Sequence, residues 1–434
     1  MRLAELLRSG GYHSYAYSYP HKTAYRTLPV PIPLKALWAT EDRQSLFLYL
    51  HVPFCEQRCG FCNLFTQVAP KSDVVSRYLD ALERQATVMH SVLHPYRVAR
   101  LAIGGGTPSY LSAPQLARLF AIAKRLCPDP IPGSIEISPA TIDEEKLAVL
   151  QQHHITRISM GVQSLFPSET SGVQRRQDPA HVEHALRILA TAAPIRNVDL
   201  IYGLPGQTAQ SLQESIDRVV ELGANELYLY PLYVRPLTIL SRHRSQDDFR
   251  VQLYRSAKQH LRSLGFRQVS MRMFTQAVPD AEGPDRPQYR CQDDAMIGLG
   301  PGARSYTTSL HYATSFAVAQ SAIRDRIEAW MSQSADDFSY AHHGFLLSDT
   351  ERQRRYLILS LLEGSLDRNA YRQRFGHDVL SHTPMLAEAI TEGLITESPD
   401  TLCLTERGVE CADVLGHWLQ SDEVLAARAA WEAA

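Results

Sequence analysis

The chain lacks the features that would place it in a membrane or on a nucleic acid. Its 434 residues contain no run approaching the roughly 20 apolar residues that span a bilayer. Lysine and arginine (44) nearly balance aspartate and glutamate (46), so the formal net charge is -2 and no global attraction to nucleic acid is expected. Charges interrupt the N-terminal residues too early for a secretory signal. We therefore expect a cytoplasmic protein without nucleic-acid or membrane partners.

Cysteine is scarce and odd in number, with seven residues in the chain. An odd count in a long chain without a secretion signal argues against a disulfide framework. Three of the seven, Cys55, Cys59 and Cys62, are clustered, whereas the other four are scattered. This clustering predicts a metal or iron–sulfur site.

Strand-like and helix-like segments alternate from Leu46 onward. Six short apolar runs predict buried strands, and apolar residues at helical spacing lie between most of them. The predicted strands cover residues 46–52, 98–103, 134–137, 157–162, 198–202 and 226–232. The alternation predicts an α/β fold with a parallel sheet, and it leaves open whether the sheet is doubly wound or a partial barrel. In both arrangements we expect the chemistry at the carboxyl ends of the strands.

Both ends of the chain break this alternation. Residues 1–45 are predicted to be a Tyr- and Pro-rich N-terminal arm, residues 46–310 the core, and residues 311–345 a linker. We interpret the arm as packed on the core, with a cap over the active-site mouth as the alternative. Residues 346–434 predict three helices followed by a hairpin, which is a winged-helix-like pattern. Because no strongly basic recognition helix is present, we favour a lid or packing module over a DNA-binding domain.

The three clustered cysteines directly follow the first predicted strand, so they lie on the loop at its carboxyl end. Iron–sulfur cubanes are normally held by four cysteine thiolates. Three thiolates with C-x₃-C-x₂-C spacing leave one iron open, and S-adenosylmethionine (SAM) can chelate that iron through its amine and carboxylate. We therefore predict a [4Fe–4S] cluster that binds SAM. A zinc ion with His51 as fourth ligand and plain buried thiols are the alternatives.

The chain has two glycine-rich turns, and the first of them follows the second predicted strand. Residues 104–108 read Gly-Gly-Gly-Thr-Pro, and the missing side chains predict that backbone N–H groups approach the methionine end of SAM. Residues 298–305 form the second turn, for which a ligand-binding role and a tight loop both remain open.

Several polar side chains lie at or near predicted strand ends. Asp199 lies inside an apolar run, where an ionised carboxylate is costly unless it is paired or bound to a ligand. Glu136, Gln163 and Arg175 add an acid, an amide and a guanidinium, the mixture that ribose hydroxyls and a methionine carboxylate require. A buried structural pair is the alternative interpretation of Asp199.

Together these motifs resemble the oxygen-independent coproporphyrinogen III oxidase and heme chaperone group of radical SAM proteins. The resemblance covers residues 46–306, with a weaker match in the C-terminal helices. It rests on four motifs, at residues 49–55, 104–109, 159–164 and 199–208. Two further segments, residues 21–26 and 270–274, are most similar to an uncharacterised bacterial subgroup.

The resemblance implies a partial (β/α)₆ radical SAM barrel with an N-terminal arm and a C-terminal helical, winged-helix-like domain. It implies that Cys55, Cys59 and Cys62 bind the cluster. It also implies contacts to cluster-bound SAM from Tyr49, Gly105, Gly106, Thr107, Glu136, Gln163, Arg175 and Asp199. Gly302 and Ala303 match positions where relatives contact a second SAM, so the expected cofactors are the cluster and one or two SAM molecules.

The implied function is that of an oxidoreductase or methyltransferase. Reductive cleavage of SAM would give a 5′-deoxyadenosyl radical that abstracts hydrogen from a small organic substrate, for oxidative decarboxylation or methyl transfer. A tetrapyrrole is the implied substrate class, within porphyrin biosynthesis, and a flavodoxin or ferredoxin the implied electron donor. A heme-binding chaperone with little turnover is the alternative. Leu64 stands where the decarboxylases have a further cysteine, and residues 289–294 lack the chaperones' His-Asn and Tyr-Trp pattern, so the reaction remains open.

Overall fold

The structure is a computed structural model that describes residues 2–8, 12, 18–234, 249–276 and 289–432. The strands are β1 (Arg26–Pro33), β2 (Leu46–Val52), β3 (Phe54–Cys55), β4 (Gln67–Val68), β5 (Val98–Gly105), β6 (Gly133–Ile137), β7 (Ile155–Gln163), β8 (Ile195–Tyr202), β9 (Glu226–Pro231), β10 (Arg267–Gln268), β11 (Met273–Thr275), β12 (Met296–Leu299), β13 (Arg304–Tyr306), β14 (Leu310–Ala313), β15 (Tyr340–Leu346), β16 (Ser365–Asp367), β17 (Ile395–Glu397) and β18 (Thr401–Leu404).

The α-helices are α1 (Leu3–Arg8), α2 (Leu34–Ala39), α3 (Ser72–Leu93), α4 (Ala113–Leu126), α5 (Glu144–Gln152), α6 (Pro167–Gly172), α7 (Pro179–Leu189), α8 (Ala209–Glu221), α9 (Arg250–Ser263), α10 (Gln320–Met331), α11 (Asp349–Leu362), α12 (Arg368–Phe375), α13 (Val379–His382), α14 (Leu386–Thr391), α15 (Glu406–Glu410), α16 (Ala412–Trp418) and α17 (Asp422–Glu432). None of the helices in the described ranges combines the length and the apolar character that crossing a bilayer requires.

The main sheet has thirteen strands, in the order β1-β15-β14-β13-β12-β2-β5-β6-β7-β8-β9-β11-β10. The six predicted strands, β2 and β5 to β9, lie side by side in chain order and are all parallel. Because each right-handed crossover then runs in the same direction, its helix falls on the same face of the sheet. A doubly wound sheet would reverse its strand order. The prediction of a partial barrel is therefore confirmed.

The core lies between the parallel strands and the helices that cover them. On β2, Leu46, Leu48 and Leu50 are fully buried, and Leu50 pairs with Ile103 of β5 on one side and Leu299 of β12 on the other. Strands covered on both faces need apolar residues at consecutive positions. This requirement explains why the strands appear in the sequence as continuous apolar runs.

Both segments that flank the core differ from the prediction. β1, within the predicted arm, pairs antiparallel with β15 and forms an edge of the main sheet. Residues 311–345 contain most of β14 and β15 as well as α10, instead of a linker. β15 alternates irregularly and carries two histidines, and β1 carries three prolines. β15 therefore lacks the apolar periodicity by which a strand is predicted. In β1, Leu28, Val30 and Ile32 do alternate, but the prolines between them argue against a strand.

The C-terminal domain agrees with the predicted helix and strand pattern. α11, α12 and α14 are the three predicted helices, and β17 and β18 form the predicted hairpin. β16 completes a three-stranded sheet with them. α1 packs on this domain, where Leu3 and Leu6 join Trp418 in one apolar core.

Replacement of a buried β2 side chain tests the sheet core. We expect Leu50→Ala to lower the free energy of unfolding by about 2–5 kcal/mol, because the cavity is enclosed by β5 and β12 and cannot collapse freely. Val30→Ala, at a position 72% exposed on β1, should change it by less than about 0.5 kcal/mol. Urea unfolding followed by circular dichroism measures both, and equal effects would contradict the assigned core.

Candidate functional site

One cavity of about 680 Å³ opens at the carboxyl ends of the parallel strands. All but one of the predicted site residues line it: Tyr49, Cys55, Cys59, Cys62, Gly105, Gly106, Thr107, Glu136, Gln163, Arg175, Asp199 and Gly302. Ala303 is buried beside Gly302 but does not contribute to the wall. The fold therefore gathers residues from β2, β5, β6, β7 and β8 at the edge of the sheet where the prediction expected chemistry.

The loop that carries the cysteines is closed by His51. Its Nε2 atom lies 3.0 Å from the carbonyl oxygen of Phe65, fourteen residues later. A carbonyl only accepts hydrogen bonds, so Nε2 carries the proton and Nδ1 accepts from the Tyr49 hydroxyl at 3.2 Å. Burial lowers the pKa of His51 to about 4, so the ring is neutral near pH 7.

Further hydrogen bonds fix the cysteine loop to neighbouring elements. The Gly60 N–H donates to the Val173 carbonyl at 2.7 Å, just after α6. The Gln57 amide donates to the Arg176 carbonyl at 2.9 Å and accepts from its N–H at 3.1 Å. These contacts hold the loop against the turn that contributes Arg175 to the cavity.

The three thiols fit an iron–sulfur cluster better than a single ion. Burial raises the pKa of Cys55 to about 11 and also raises the pKa of Cys62, a cost that coordination to iron would offset. Arg175 donates to the Cys59 sulfur at 3.5 Å. Within the described ranges, no three His, Cys, Asp or Glu side chains converge on one ion. A cubane gives each thiolate its own iron, so its ligands need not converge.

His51 does not fit the alternative of a zinc site. Both of its ring nitrogens are engaged, with the Phe65 carbonyl and the Tyr49 hydroxyl. A zinc ligand would need one of these nitrogens free to face the cysteines.

The first glycine-rich turn serves close packing within the chain. A side chain at Gly106 would place Cβ 2.3 Å from the Phe54 carbonyl oxygen, and one at Gly105 would meet the Val52 carbonyl and the His51 ring. The N–H groups of Gly106 and Thr107 donate to the carbonyls of Val52 and Phe54 at 2.8 and 2.7 Å. The predicted use of these N–H groups for SAM is therefore not what the structure shows, because partners in the chain already occupy them.

Two carboxylates form the inner wall of the cavity. Glu136 accepts from the Gly105 N–H at 3.0 Å, and burial, reinforced by the charge of Asp199, raises the pKa of Glu136 to about 7. Burial also raises the pKa of Asp199, which accepts from the Asn197 amide at 2.7 Å and from the Ser159 hydroxyl at 3.3 Å. Among the described residues its hydrogen-bond partners are neutral, so the alternative of a buried ion pair fits poorly.

Asn197 was not among the predicted site residues. It lies two positions before Asp199 on β8 and therefore faces the same side of the sheet, which is the signal that could have identified it. It also donates to Ser159 at 2.7 Å, so the three side chains form one buried network.

Gln163 and Arg175 are held at the end of β7. Gln163 adopts a φ of +72°, a strained conformation for a residue with a side chain. Arg175 donates to the Gly161 carbonyl at 2.5 Å and to the Gln177 amide oxygen at 3.0 Å. Its remaining contact is the Cys59 sulfur, so the guanidinium lies beside the proposed cluster.

The second glycine-rich turn packs against His51. A Cβ at Gly302 would lie 2.9 Å from His51 Nε2, and one at Gly300 would lie 2.5 Å from the His51 carbonyl oxygen. Both glycines have positive φ, at +98° and +91°, so the backbone also requires them. The packing of His51 accounts for both glycines.

Distant segments supply the outer wall of the cavity. Lys22, from the predicted arm, lines it and lies 3.7 Å from the ring centre of Phe316. Tyr233, Tyr289 and Arg304 also line it, after β9, before β12 and on β13. Tyr233 directly follows the sixth predicted strand, where a site residue could have been expected. Lys22, Tyr289 and Arg304 lie outside the βα pattern, so local sequence provides no signal for them.

Comparisons with known proteins agree with this arrangement. The model of the radical SAM superfamily matches residues 49–219. The oxygen-independent coproporphyrinogen III oxidase of Escherichia coli K12 is 30% identical over 67% of this chain and 69% of its own length. The heme chaperone HemW of Mycobacterium tuberculosis is 30% identical over 65% of this chain and 74% of its own. The solved structure of Escherichia coli coproporphyrinogen III oxidase, HemN, superposes with a TM-score of 0.74 at 25% identity, over 89% of this chain and 92% of that one.

The close approach of Gly106 to Phe54 can be tested by adding one methyl group at residue 106, the side chain of alanine. Gly106→Ala should displace the cysteine loop, because its Cβ would overlap a backbone carbonyl that cannot rotate away. We expect iron bound after anaerobic reconstitution to fall at least about fivefold. In the control Gly133→Ala, Cβ would approach only the tip of the Ile155 side chain at 3.0 Å and should leave iron content unchanged. Full iron content in Gly106→Ala would contradict the proposed packing.

The raised pKa of Glu136 predicts a pH dependence of stability in the protein without SAM. Its carboxyl binds a proton more tightly in the folded than in the unfolded chain, so this contribution is present below pH 4.5 and is lost as the pH rises through about 7. Because the Glu136 side chain is exposed to solvent in the open cavity, Glu136→Gln should gain less than about 1 kcal/mol of stability over wild type as the pH rises from 4 to 8. Urea unfolding across this range measures the difference. A difference that does not change with pH would contradict the assignment.

Proposed function

This chain belongs to the radical SAM superfamily, in the group that includes oxygen-independent coproporphyrinogen III oxidase and the heme chaperone HemW, and we propose that it is an enzyme that abstracts hydrogen from an organic substrate. The cofactors of the superfamily are a [4Fe–4S] cluster and SAM. When bound and reduced, the cluster supplies the electron that cleaves SAM to methionine and a 5′-deoxyadenosyl radical. The observation that carries the proposal is the single cavity that gathers three thiols, two carboxylates and a guanidinium.

Cys55, Cys59 and Cys62 would hold the cluster, and Arg175 would bind the carboxylate of SAM. The guanidinium already lies against Cys59, so a carboxylate beside the open iron would be within its reach. The Tyr49 hydroxyl would act indirectly, by keeping His51 in the tautomer that closes the loop.

Glu136 and Asp199 would accept hydrogen bonds from the polar edge of SAM. Asp199 is held by Asn197 and Ser159, and ribose hydroxyls would provide donors that compensate the burial of its charge. Gln163 would add an amide at the same end of β7. The apolar residues Ile137, Ile201 and Leu232 line the remaining wall and would keep the cavity dry, which protects a radical from side reactions.

A tetrapyrrole is the substrate class that we propose, on the basis of the relatives in porphyrin chemistry. The reaction on this substrate would be oxidative decarboxylation or methyl transfer. Leu64, which replaces the further cysteine of the decarboxylases, lines the cavity with 44% of its surface exposed. Heme carriage is the second candidate function, which the similarity to HemW favours.

Cysteine variants test the cluster assignment. Wild type reconstituted anaerobically should hold about four irons and release 5′-deoxyadenosine when dithionite and SAM are added. Cys59→Ala should lose at least about nine-tenths of the bound iron and of the 5′-deoxyadenosine released, because one iron loses its thiolate. The matched control, Cys127→Ala, removes a thiol that bonds the Ala123 carbonyl on α4 and should retain both.

The substrate is tested by adding coproporphyrinogen III or hemin to the same mixture. Faster formation of 5′-deoxyadenosine with a modified tetrapyrrole would support the enzyme. A stable heme absorption band without SAM cleavage would instead support heme carriage. An iron content near one metal per chain, with no brown chromophore, would contradict both.

A further inference from the structure

The C-terminal domain contacts the barrel through complementary charges. α9 contributes Arg255, Lys258 and Arg262, and α15 contributes Glu406 and Glu410. Lys258 lies 2.5 Å from Glu410 and 3.1 Å from Glu406, while Arg262 lies 2.6 Å from Glu406. Arg255 and Glu406 are 63% and 60% exposed, so the pairs that they form contribute little stability. The pair of Lys258 and Glu410 is more enclosed, with side chains 9% and 14% exposed.

One further pair of the same interface is buried. Arg272, in the turn before β11, donates from one nitrogen to both carboxylate oxygens of Asp413 on α16, at 2.5 and 2.7 Å. The side chains are only 8% and 1% exposed. The desolvation penalty of a buried ion pair is about as large as the attraction between its charges, so the pair adds little net stability. We therefore interpret it as fixing a geometry. Arg272 also lies in residues 270–274, one of the segments that distinguish the subgroup in sequence.

The buried pair ends at the cavity wall. The Arg272 guanidinium donates to the Tyr233 hydroxyl at 2.6 Å, and that hydroxyl donates to Asp413. Tyr233 follows β9 and lines the cavity. Burial, reinforced by Asp413, raises the pKa of Tyr233 well above its usual value, so the phenol keeps its proton. Because the hydroxyl already accepts one hydrogen bond and donates another within the chain, the part of Tyr233 that can contact a ligand is its ring.

The neighbours of Tyr233 on the wall are apolar or aromatic. Ile201 and Leu232 belong to a small buried cluster against which Phe61 and Tyr230 pack. All four line the cavity together with Tyr233. This end of the cavity is therefore suited to an apolar or π-bonded part of a ligand, whereas Glu136 and Asp199 provide the polar end.

We propose that Tyr233 is a specificity-determining residue whose ring contacts an apolar, unsaturated part of the substrate. Arg272 and Asp413 are positioning residues, through which the C-terminal domain sets the orientation of that ring. This inference rests on the proposed function for the identity of the ligand, but not for the geometry of the wall.

Four variants separate positioning from simple stability. Asp413→Asn keeps the size of the side chain and removes its charge, and Arg272→Met combined with Asp413→Leu removes the pair without leaving an unpaired charge. Tyr233→Leu removes the ring. Glu410→Gln is the control, because it weakens another ion pair of the same interface without touching Tyr233.

The readouts are the affinity for coproporphyrin III, followed by its fluorescence, and hydrogen exchange of residues 226–234 in the reconstituted protein. We expect Asp413→Asn, the double variant and Tyr233→Leu each to raise the dissociation constant at least about tenfold, which corresponds to about 1.4 kcal/mol. Amides of residues 230–234 should exchange faster in Asp413→Asn and the double variant. Glu410→Gln should match wild type in both readouts.

Wild-type affinity in the double variant would overturn the proposal, because the pair would then be merely structural. Equal effects of Asp413→Asn and Glu410→Gln would also overturn it. If wild type does not bind coproporphyrin III, the proposal of a tetrapyrrole substrate is wrong. Hydrogen exchange then tests whether Arg272 and Asp413 position Tyr233. Faster exchange in Asp413→Asn but not in Glu410→Gln would then support positioning of Tyr233, and unchanged exchange would overturn it.

Discussion

The hydrogen bond from His51 to the Phe65 carbonyl is the constraint on which the site depends. It closes the loop that contains the three cysteines, and it requires a neutral ring with the proton on Nε2. Burial keeps the ring neutral, and the Tyr49 hydroxyl selects the tautomer. Gly105 of the first glycine-rich turn and Gly300 and Gly302 of the second carry no side chain because this ring and its backbone need the space. A single buried side chain thus links β2, β5 and the turn after β12 around the cysteines.

The βα core could be predicted because its constraint is local. A strand covered on both faces must be apolar throughout, so β2 and β5 to β9 are visible as short apolar runs. The site at their carboxyl ends follows from the same alternation, and Asp199 stands out because its neighbours are apolar. β1 and β15 were not predicted, because the prolines of β1 and the histidines of β15 do not indicate strands. The two strands form by pairing with each other across a long separation in sequence.

The glycine turn shows the limit of motif reasoning. Three consecutive glycines after a predicted strand suggest backbone donors for a ligand, and Gly105 and Gly106 do line the cavity. The structure assigns their missing side chains to contacts with Glu136, His51 and Phe54. The sequence identifies the positions where no side chain fits. Only the fold shows which neighbouring residues occupy the space that a side chain would need.

The two halves of the cavity come from different parts of the chain. Residues proposed to hold the cluster and SAM lie within β2, β5, β6, β7 and β8 or on the loops that follow these strands, and the barrel sets the order of the strands. The opposite wall is built by Lys22, Tyr233 and residues 289–306, and Tyr233 is held by an aspartate 180 residues away in sequence. Gly300 and Gly302 in the second half pack against His51, so they are coupled to the first half. Tyr233 is held by Arg272 and Asp413 instead, so a change there can alter the ligand without disturbing the cysteine loop. Because the chain is similar to both an oxidase and a chaperone, its activity depends on the site residues and not on the fold alone.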